Sequence, residues 1–257
     1  MQHVIAIANQ KGGCGKTTTT ISLGAALAER GRRVLLLDMD PQFALSRGLG
    51  LDPRRPGPTV REVLYERLPL GQAVVPDVFP GIDVIPANLL LAKADLDLAH
   101  LPAGDTRLLQ ALEANGAGPY DYVLIDCPPS LGKLTFNALA AAHHLLVPVD
   151  SAPWALDTIH QLFELADDVR AYVNRRLRLL GVLVTKYQAH VSVCQQVRRD
   201  VQERWPEHLF AATVRLSTRL VEAAYAAEPI FTWDRKSPVA EDYRALAREV
   251  EARVEAR

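Results

Sequence analysis

Cysteine is scarce in this sequence, with only Cys14, Cys127 and Cys194 among 257 residues. The three lie far apart and form no C-x-x-C pair, which is typical of a protein of the reducing cytosol and argues against a structural zinc site. Long apolar runs are also missing, since none approaches the 18 residues of a membrane span. The first residues lack the basic start and cleavage site of a secretory signal. We therefore expect a soluble cytoplasmic protein that does not bind membranes.

The composition is that of a globular protein, because 49% of the residues are hydrophobic and 23% are charged. A chain of this length buries a sizeable core without disulfides or metal. The net charge of -1 argues against a uniformly basic nucleic-acid-binding protein. Charge is nevertheless segregated: from Arg170 to Leu220 there are ten basic residues and three acidic ones, a net charge of +7. Such a stretch either binds a polyanion or covers solvated helices.

Short apolar segments alternate with helical segments along the whole chain. The pattern predicts strands over His3–Asn9, Arg33–Asp38, Ile82–Pro86, Tyr122–Cys127, His144–Val149 and Leu179–Thr185. It predicts helices over Lys16–Arg30, Val60–Arg67, Thr106–Asn115, Lys133–Ala142, Ala155–Arg176, Ser192–Arg204, Ser217–Ala227 and from Val239 to near the C-terminus. This rhythm predicts an α/β fold, a doubly wound and mostly parallel sheet with helices on both faces, in a single domain spanning residues 1–257.

The segment N-Q-K-G-G-C-G-K-T-T, residues 9–18, follows the first predicted strand and opens the first predicted helix. This is the context of a phosphate-binding loop, or P-loop. Its glycines let the backbone bring N–H groups to phosphate oxygens, and the helix N-terminus adds partial positive charge. Lys16 is expected to reach the β- and γ-phosphates, and Thr17 to complete a Mg²⁺ shell. The predicted nucleotide contacts of this loop are Gly12, Gly13, Cys14, Gly15, Lys16, Thr17 and Thr18.

Acidic residues follow two other predicted strands. D-M-D-P-Q, residues 38–42, comes after the second strand, and Y-V-L-I-D, residues 122–126, delivers Asp126 to a sheet edge as a Walker B motif does. Ligands bind such sheets at the carboxyl ends of the strands, so Asp126 is placed to hold Mg²⁺ through water. D-M-D-P-Q has an alternative interpretation as a surface turn that caps a helix.

One detail separates this loop from the pattern G-x-x-x-x-G-K-[ST]: Gln10 replaces the first glycine, and a second lysine, Lys11, appears. This deviant Walker A signature, together with D-M-D-P-Q and D-C-P-P-S (residues 126–130), resembles the ParA/MinD family of P-loop ATPases. The resemblance implies that Lys11 reaches the phosphates of ATP bound by the other subunit of a dimer. It also implies that Asp40 positions the attacking water, with Asp38 nearer the metal shell. The implied activity is Mg²⁺-dependent ATP hydrolysis with slow intrinsic turnover, and the implied catalytic residues are Lys11, Lys16, Asp40 and Asp126.

The resemblance is closer to the ParA/Soj partitioning branch than to MinD. Pro41-Gln42 is typical of ParA, and the charged C-terminus lacks the apolar face of a MinD-type membrane helix. R-L-S-T-R-L-V-E-A, residues 215–223, resembles the ParA segment P-R-N-V-R-L-S-E-A. The resemblance implies that Arg215 and Ser217 contact the nucleotide base and that Arg219 contacts DNA. Additional DNA-binding candidates are Lys186, Arg198 and Arg199.

A helical salt bridge from Arg219 to Glu222 is an equally good interpretation of that arginine. If the resemblance holds, the protein is a homodimer with ATP that binds double-stranded DNA non-specifically at the nucleoid. A ParB-like partner then stimulates hydrolysis. We expect no N-terminal helix-turn-helix domain, because the sequence opens with the first strand. The alternatives are a MinD-like or cargo-positioning switch acting on a membrane or protein complex, and a metabolic kinase or ligase of the dethiobiotin synthetase kind.

Overall fold

The structure is a computed structural model that describes residues 2–52, 54–115, 118–151 and 155–256, with only the backbone of Asn115. The described strands are β1 (His3–Ile7), β2 (Val34–Asp38), β3 (Val75–Phe79), β4 (Ile82–Ile85), β5 (Tyr122–Asp126), β6 (His144–Val149), β7 (Arg178–Tyr187) and β8 (Leu209–Arg215). The described α-helices are α1 (Lys16–Glu29), α2 (Ala44–Gly48), α3 (Val60–Glu66), α4 (Ala94–His100), α5 (Arg107–Asn115), α6 (Lys133–Ala141), α7 (Ala155–Tyr172), α8 (Ser192–Arg204), α9 (Thr218–Ala226), α10 (Ile230–Trp233) and α11 (Pro238–Glu255).

The strands form one sheet in the order β3-β4-β2-β5-β1-β6-β7-β8. Only the edge strand β3 is antiparallel to its neighbour among the described pairs. Alternate strand residues supply two hydrophobic clusters, one on each face. Ile5 and Leu36 contribute to the cluster under α1 and α11, while Ala6 and Leu35 contribute to the cluster under α3–α8. The predicted doubly wound, mostly parallel α/β sheet with helices on both faces is confirmed.

The sequence pattern missed two strands and three short helices. β3 contains Pro76 and a left-handed Asp77 (φ 53°), so it lacks the apolar run that predicts an inner strand. β8 lies at the other edge and alternates buried with exposed positions only in part. The helices α2, α4 and α10 have four to seven residues, too few for a clear helical period. The predicted helix over Ala155–Arg176 ends at Tyr172, because Asn174 donates to the carbonyls of Leu139 and Ala142.

The helix α11 covers the exposed edge of β8 with charged side chains. The Glu249 carboxylate accepts the backbone N–H groups of Ala211 and Ala212 at 3.0 Å each. Arg253 donates to the carbonyl oxygens of Leu180 (2.8 Å) and Leu209 (2.6 Å). Three residues of the edge strand, Leu209, Ala211 and Ala212, therefore have backbone groups occupied by side chains of the same protein. None of the described helices is both long and apolar enough to span a lipid bilayer.

The helix α1 lies close against the sheet and is tied to α11 at its far end. A Cβ atom at Gly24 would stand 2.8 Å from Leu36 Cδ2, so no other residue permits this approach without displacement. Glu29, the last residue of α1, pairs with Arg235 (2.7 Å) and Arg244 (2.6 Å). On the sheet side, the strand register places Asp38 and Ile7 beside Asp126. The carboxyl ends of β1, β2 and β5 thus meet next to the start of α1.

Candidate nucleotide-binding site

The loop between β1 and α1 is held by buried hydrogen bonds to other strands. Asn9 donates to the carbonyl oxygen of Pro148 at 2.7 Å and accepts the Lys11 N–H at 2.9 Å. Thr185 donates to the Cys14 carbonyl oxygen at 2.7 Å. Gly13 (φ 75°) and Gly15 (φ 92°) adopt left-handed conformations that side chains disfavour. Asn9 and Thr185 were not singled out from the sequence, because their partners lie 139 and 171 residues away.

Lys16, Thr17 and Asp126 converge at the mouth of this loop. The Lys16 side chain is buried, and its Nζ donates to the Lys11 carbonyl oxygen at 3.1 Å. Thr17 Oγ1 donates to Asp126 Oδ2 at 2.7 Å, and Thr20 Oγ1 lies 3.4 Å from Asp126 Oδ1. Burial, and then the charge of Asp38, raises the pKa of Asp126 well above its ordinary value. A buried carboxylate beside a threonine hydroxyl is an oxygen donor set that suits Mg²⁺.

Asp38 is the last residue of β2, and Asp40 lies two residues further along the chain at the same sheet edge. Asp38 is fully buried and accepts hydrogen bonds from Ser46 and from the Asp40 N–H, and burial raises its pKa to about 6. Asp40 is 8% exposed, and its Oδ1 accepts the Gln42 N–H at 2.8 Å. Both carboxylates lie at the sheet edge that carries the P-loop. The alternative of an ordinary surface turn does not describe Asp38, which is inaccessible to solvent.

Lys11, predicted to act on the partner subunit's nucleotide, is engaged within its own chain. Its Nζ lies 2.6 Å and 2.8 Å from the two carboxylate oxygens of Asp150, which follows β6 directly. The Lys11 side chain is 32% exposed and that of Asp150 is 15% exposed. The pair is therefore partly accessible to solvent. Asp150 carried no recognisable sequence signal, since only the order of the sheet brings β6 beside β1.

Arg215 and Ser217, the predicted base contacts, line a pocket of about 250 Å³ beside the P-loop. Gly15 and Thr18 line the same pocket, together with apolar atoms of Leu220. The Arg215 guanidinium is occupied by Asp242, with two hydrogen bonds of 2.7 Å each. Ser217 caps α9 by accepting the Arg219 N–H at 3.3 Å. The pocket thus adjoins the P-loop, although the Arg215 guanidinium is directed to the Asp242 carboxylate.

The DNA-binding candidates are distributed over three elements. Arg219 on α9 pairs with Glu222 at 2.7 Å and with Asp234 at 3.4 Å, so the salt-bridge interpretation describes its present contacts. Lys186, at the end of β7, is exposed and has a left-handed backbone (φ 51°). Arg198 and Arg199 lie on α8, where Arg199 donates to Gln196 at 2.7 Å.

The basic stretch predicted from the sequence does not form one surface. β7 pairs Tyr187 with Arg215 at the P-loop edge, whereas Arg178 pairs with His144 at the opposite end of the strands. Arg178 and Lys186 are thus separated by about 26 Å, at roughly 3.3 Å per strand residue. Arg170, Arg175 and Arg176 precede Arg178 and belong to the far end. The net charge of +7 is therefore divided between two ends of the sheet.

The fold is a doubly wound sheet, and its P-loop, a second loop lysine and two strand-end carboxylates lie at one edge. These features define the class of deviant Walker A P-loop ATPases. Residues 2–179 match the family model AAA_31, described as an AAA domain. The chromosome partitioning protein ParA of Caulobacter vibrioides is 43% identical over 98% of this chain and 94% of its own length. The chromosome-partitioning ATPase Soj of Thermus thermophilus is 43% identical over 98% of this chain and 96% of its own length.

A solved structure of cobyrinic acid a,c-diamide synthase from Mycobacterium smegmatis, with bound ADP and magnesium, is also similar to this chain. It is 37% identical with a TM-score of 0.86, and the match covers 100% of this chain and 96% of that one. The protein therefore belongs to the ParA/Soj family of P-loop ATPases. The family resemblance and the fold class predicted from the sequence are both confirmed.

Proposed function

We propose that this protein is a DNA-partitioning ATPase that dimerises around ATP, binds DNA non-specifically and is reset by hydrolysis. The observation that carries the proposal is the pair of loop lysines, with Lys16 directed into the P-loop and Lys11 at its rim. The relatives named ParA and Soj support partitioning as the process. By the same analogy a ParB-like protein stimulates hydrolysis, and the protein works in the cytoplasm at the nucleoid.

The residues at the loop fit ATP and Mg²⁺. Added Cβ atoms at Gly12 and Gly13 would meet nothing within 4 Å, so the loop backbone is open to phosphate oxygens. Lys16 then binds the β- and γ-phosphates, while Thr17 and Asp126 hold the metal, which neutralises charge developing on the phosphates when bound. Asp40 orients the attacking water. The pocket beside Ser217 is of a size that suits one planar base.

Lys11 links dimerisation to the nucleotide. Without ATP it is neutralised by Asp150 in its own subunit. A triphosphate on the partner subunit offers more negative charge than one carboxylate, so Lys11 moves to it only in the ATP-bound dimer. Hydrolysis removes that attraction, and the dimer separates. Because the ATP state has to persist long enough to place DNA, intrinsic turnover is slow.

DNA binding is proposed at the P-loop end of the sheet, through Arg219 and Lys186, with Arg198 and Arg199 on α8 as additional contacts. Arginine and lysine bind phosphates without reading sequence, which gives salt-sensitive, non-specific binding. Arg219 has to leave Glu222 and Asp234 to do so. Glu222 is exposed and Asp234 is partly exposed, so both ion pairs are weak and the exchange is inexpensive.

A MinD-like role at a membrane fits less well. Val250 and Val254, two apolar residues near the end of the C-terminal helix, are buried against the sheet and are not available to lipid. A role in amide synthesis is suggested by the name of the Mycobacterium smegmatis relative. It requires a site for the acid beside the P-loop in addition to the nucleotide pocket. The pocket of about 250 Å³ lined by Gly15 and Thr18 is of a size for one base and does not itself supply that second site.

The test is binding to a long, arbitrary duplex DNA, measured by fluorescence anisotropy with ATP·Mg²⁺, with ADP·Mg²⁺ and without nucleotide, across a salt series. We expect binding with ATP only, weakened by salt and by Arg219→Ala, and lost in Lys11→Ala. Arg170→Ala, an exposed arginine at the far end of the sheet, is the matched control and retains binding. ATP-driven dimerisation without DNA binding in any state would contradict the DNA role and favour another cargo. A fast basal hydrolysis rate would contradict the slow cycle.

A further inference from the structure

Asp38 has a different environment from Asp126, although both end buried strands at the same edge. The partners of Asp126 are the hydroxyls of Thr17 and Thr20, which belong to the P-loop helix. The partners of Asp38 belong to the segment that follows it. Its Oδ1 accepts the Asp40 N–H at 3.1 Å, and its Oδ2 accepts the Ser46 N–H at 2.9 Å and the Ser46 hydroxyl at 2.6 Å. Both oxygens are thus engaged by the segment that follows β2.

Ser46 connects Asp38 to a third place in the fold. The Ser46 hydroxyl donates to Asp38 and accepts the Ala87 N–H at 3.2 Å. Ala87 follows β4, the strand that pairs with β2. Asp38, Ser46 and Ala87 are all inaccessible or nearly so, at 1% exposure or less. Removing the Ser46 hydroxyl therefore leaves a buried acceptor and a buried donor without this partner.

The residues between these two anchors form a closed segment, residues 38–46, which we call the switch segment. The Phe43 N–H donates to the Asp40 carbonyl oxygen at 2.8 Å, closing a turn over Pro41 and Gln42. Phe43 has a left-handed backbone (φ 44°), a conformation that an aromatic residue keeps only when its surroundings enforce it. Its ring is buried, and the Arg47 guanidinium carbon lies 4.8 Å from the ring centroid. Asp40 therefore stands on a backbone that is fixed at both ends.

We propose that Asp38 and Ser46 are positioning residues that close the switch segment and thereby place Asp40, and that Asp38 is not a ligand of the metal. This revises the expectation that Asp38 lies in the Mg²⁺ shell. It rests on the proposed function, because Asp40 is given its role there. The proposal deepens that function by separating the two buried carboxylates: Asp126 serves the metal, and Asp38 serves the geometry of the segment that carries Asp40.

The test compares Ser46→Ala, Ser46→Thr and Asp38→Asn with Ser237→Ala. Ser237 is a buried serine that caps α11, and its hydroxyl bonds to Asp234 and Ala240 and to no described residue of the switch segment, so its alanine variant removes a similar hydroxyl outside that segment. Steady-state ATP hydrolysis gives kcat and KM. Binding of a fluorescent N-methylanthraniloyl ATP, titrated with Mg²⁺, gives the half-saturating metal concentration independently of turnover.

We expect Ser46→Ala and Asp38→Asn to lower kcat by about tenfold to a hundredfold, as a small misplacement of a catalytic group does. KM and the half-saturating Mg²⁺ concentration should stay within about twofold, and Ser46→Thr, which keeps the hydroxyl, should recover most of the rate. Ser237→Ala should keep the wild-type kcat. A half-saturating Mg²⁺ concentration that rises in Asp38→Asn but not in Ser46→Ala would overturn the proposal, as would an unchanged kcat in Ser46→Ala.

Hydrogen–deuterium exchange on the nucleotide-free protein separates this proposal from the proposed function. The amides of Asp40, Ser46 and Ala87 should exchange faster in Ser46→Ala than in the wild type, and at the wild-type rate in Ser237→Ala. If the wild type hydrolyses no ATP, the proposed function fails. Unchanged exchange at these amides would show that Asp38 and Ser46 do not close the switch segment, whatever the ATPase result.

Discussion

The ion pair between Lys11 and Asp150 holds a loop lysine within its own subunit. The sequence alone predicted most of the residues around it, because the P-loop and the two acidic motifs are local patterns whose spacing specifies their chemistry. Asp150, Asn9 and Thr185 could not be predicted in the same way. Their partners are distant in sequence and become neighbours only through the order of strands in the sheet.

We expect Asp150→Asn to favour the ATP-bound dimer. The nucleotide-free protein loses a partly exposed ion pair of about 1 kcal/mol, which is about a fivefold change in an equilibrium constant. The protein concentration for half-maximal dimerisation in ATP should fall by about that factor, as measured by analytical ultracentrifugation. Asp167→Asn, which breaks the exposed pair with Arg170, is the control. Weaker dimerisation of Asp150→Asn would mean that Asp150 acts within the dimer.

At the scale of elements, the inner strands and long helices were predictable and the sheet edges were not. The strands β1, β2, β5 and β6 are almost wholly buried and appear in the sequence as apolar runs. β3 and β8 lie at edges, where proline, charge and half-exposed positions obscure the pattern. The ion pair between Glu29 of α1 and Arg244 of α11 could not be predicted either, because the two residues are 215 positions apart in the sequence.

The ion pairs of Glu29 predict that part of the stability of the fold depends on pH. Hydrogen bonds from Arg244, and from Arg235, lower the pKa of Glu29 from 4.5 to about 2. A carboxylate with a depressed pKa stabilises the fold above its unfolded pKa and loses that contribution as pH falls toward its folded pKa. We expect Glu29→Gln to lower the melting temperature at pH 7 by about 2–4 °C, with the difference shrinking between pH 4.5 and pH 2.

Differential scanning calorimetry across that range checks it, with Glu113→Gln as the matched control. Glu113 is an exposed glutamate on α5 with no ion pair among the described residues. A Glu29→Gln difference that is constant with pH would rule out the ionised carboxylate as its source.

At the scale of the whole molecule, the sequence indicated the basic stretch but not its division. Ten basic residues within about fifty positions of the sequence suggest a single basic surface. In the folded protein, β7 carries the chain from one end of the sheet to the other, so Arg175 and Arg176 lie at the end opposite Lys186 and Arg219. Only the second pair shares the edge with the P-loop.

Two double variants with the same change in net charge test which end binds DNA. Lys186→Ala/Arg219→Ala should reduce the slope of log affinity against log salt by about 2, roughly one unit for each lost phosphate contact. Arg175→Ala/Arg176→Ala should leave the slope and affinity near wild type. Equal losses in the two variants would indicate attraction by overall charge, with no defined binding surface.

The coverage of β8 by α11 limits how copies of this protein can assemble. The N–H groups of Ala211 and Ala212 are taken by Glu249, and the opposite edge strand β3 contains Pro76, which has no N–H to offer. Among the described residues, each edge strand therefore lacks part of the N–H row that a strand from another copy would use. These features disfavour polymerisation by extension of the sheet. Self-association through side-chain surfaces, where a bound nucleotide can control it, is favoured instead.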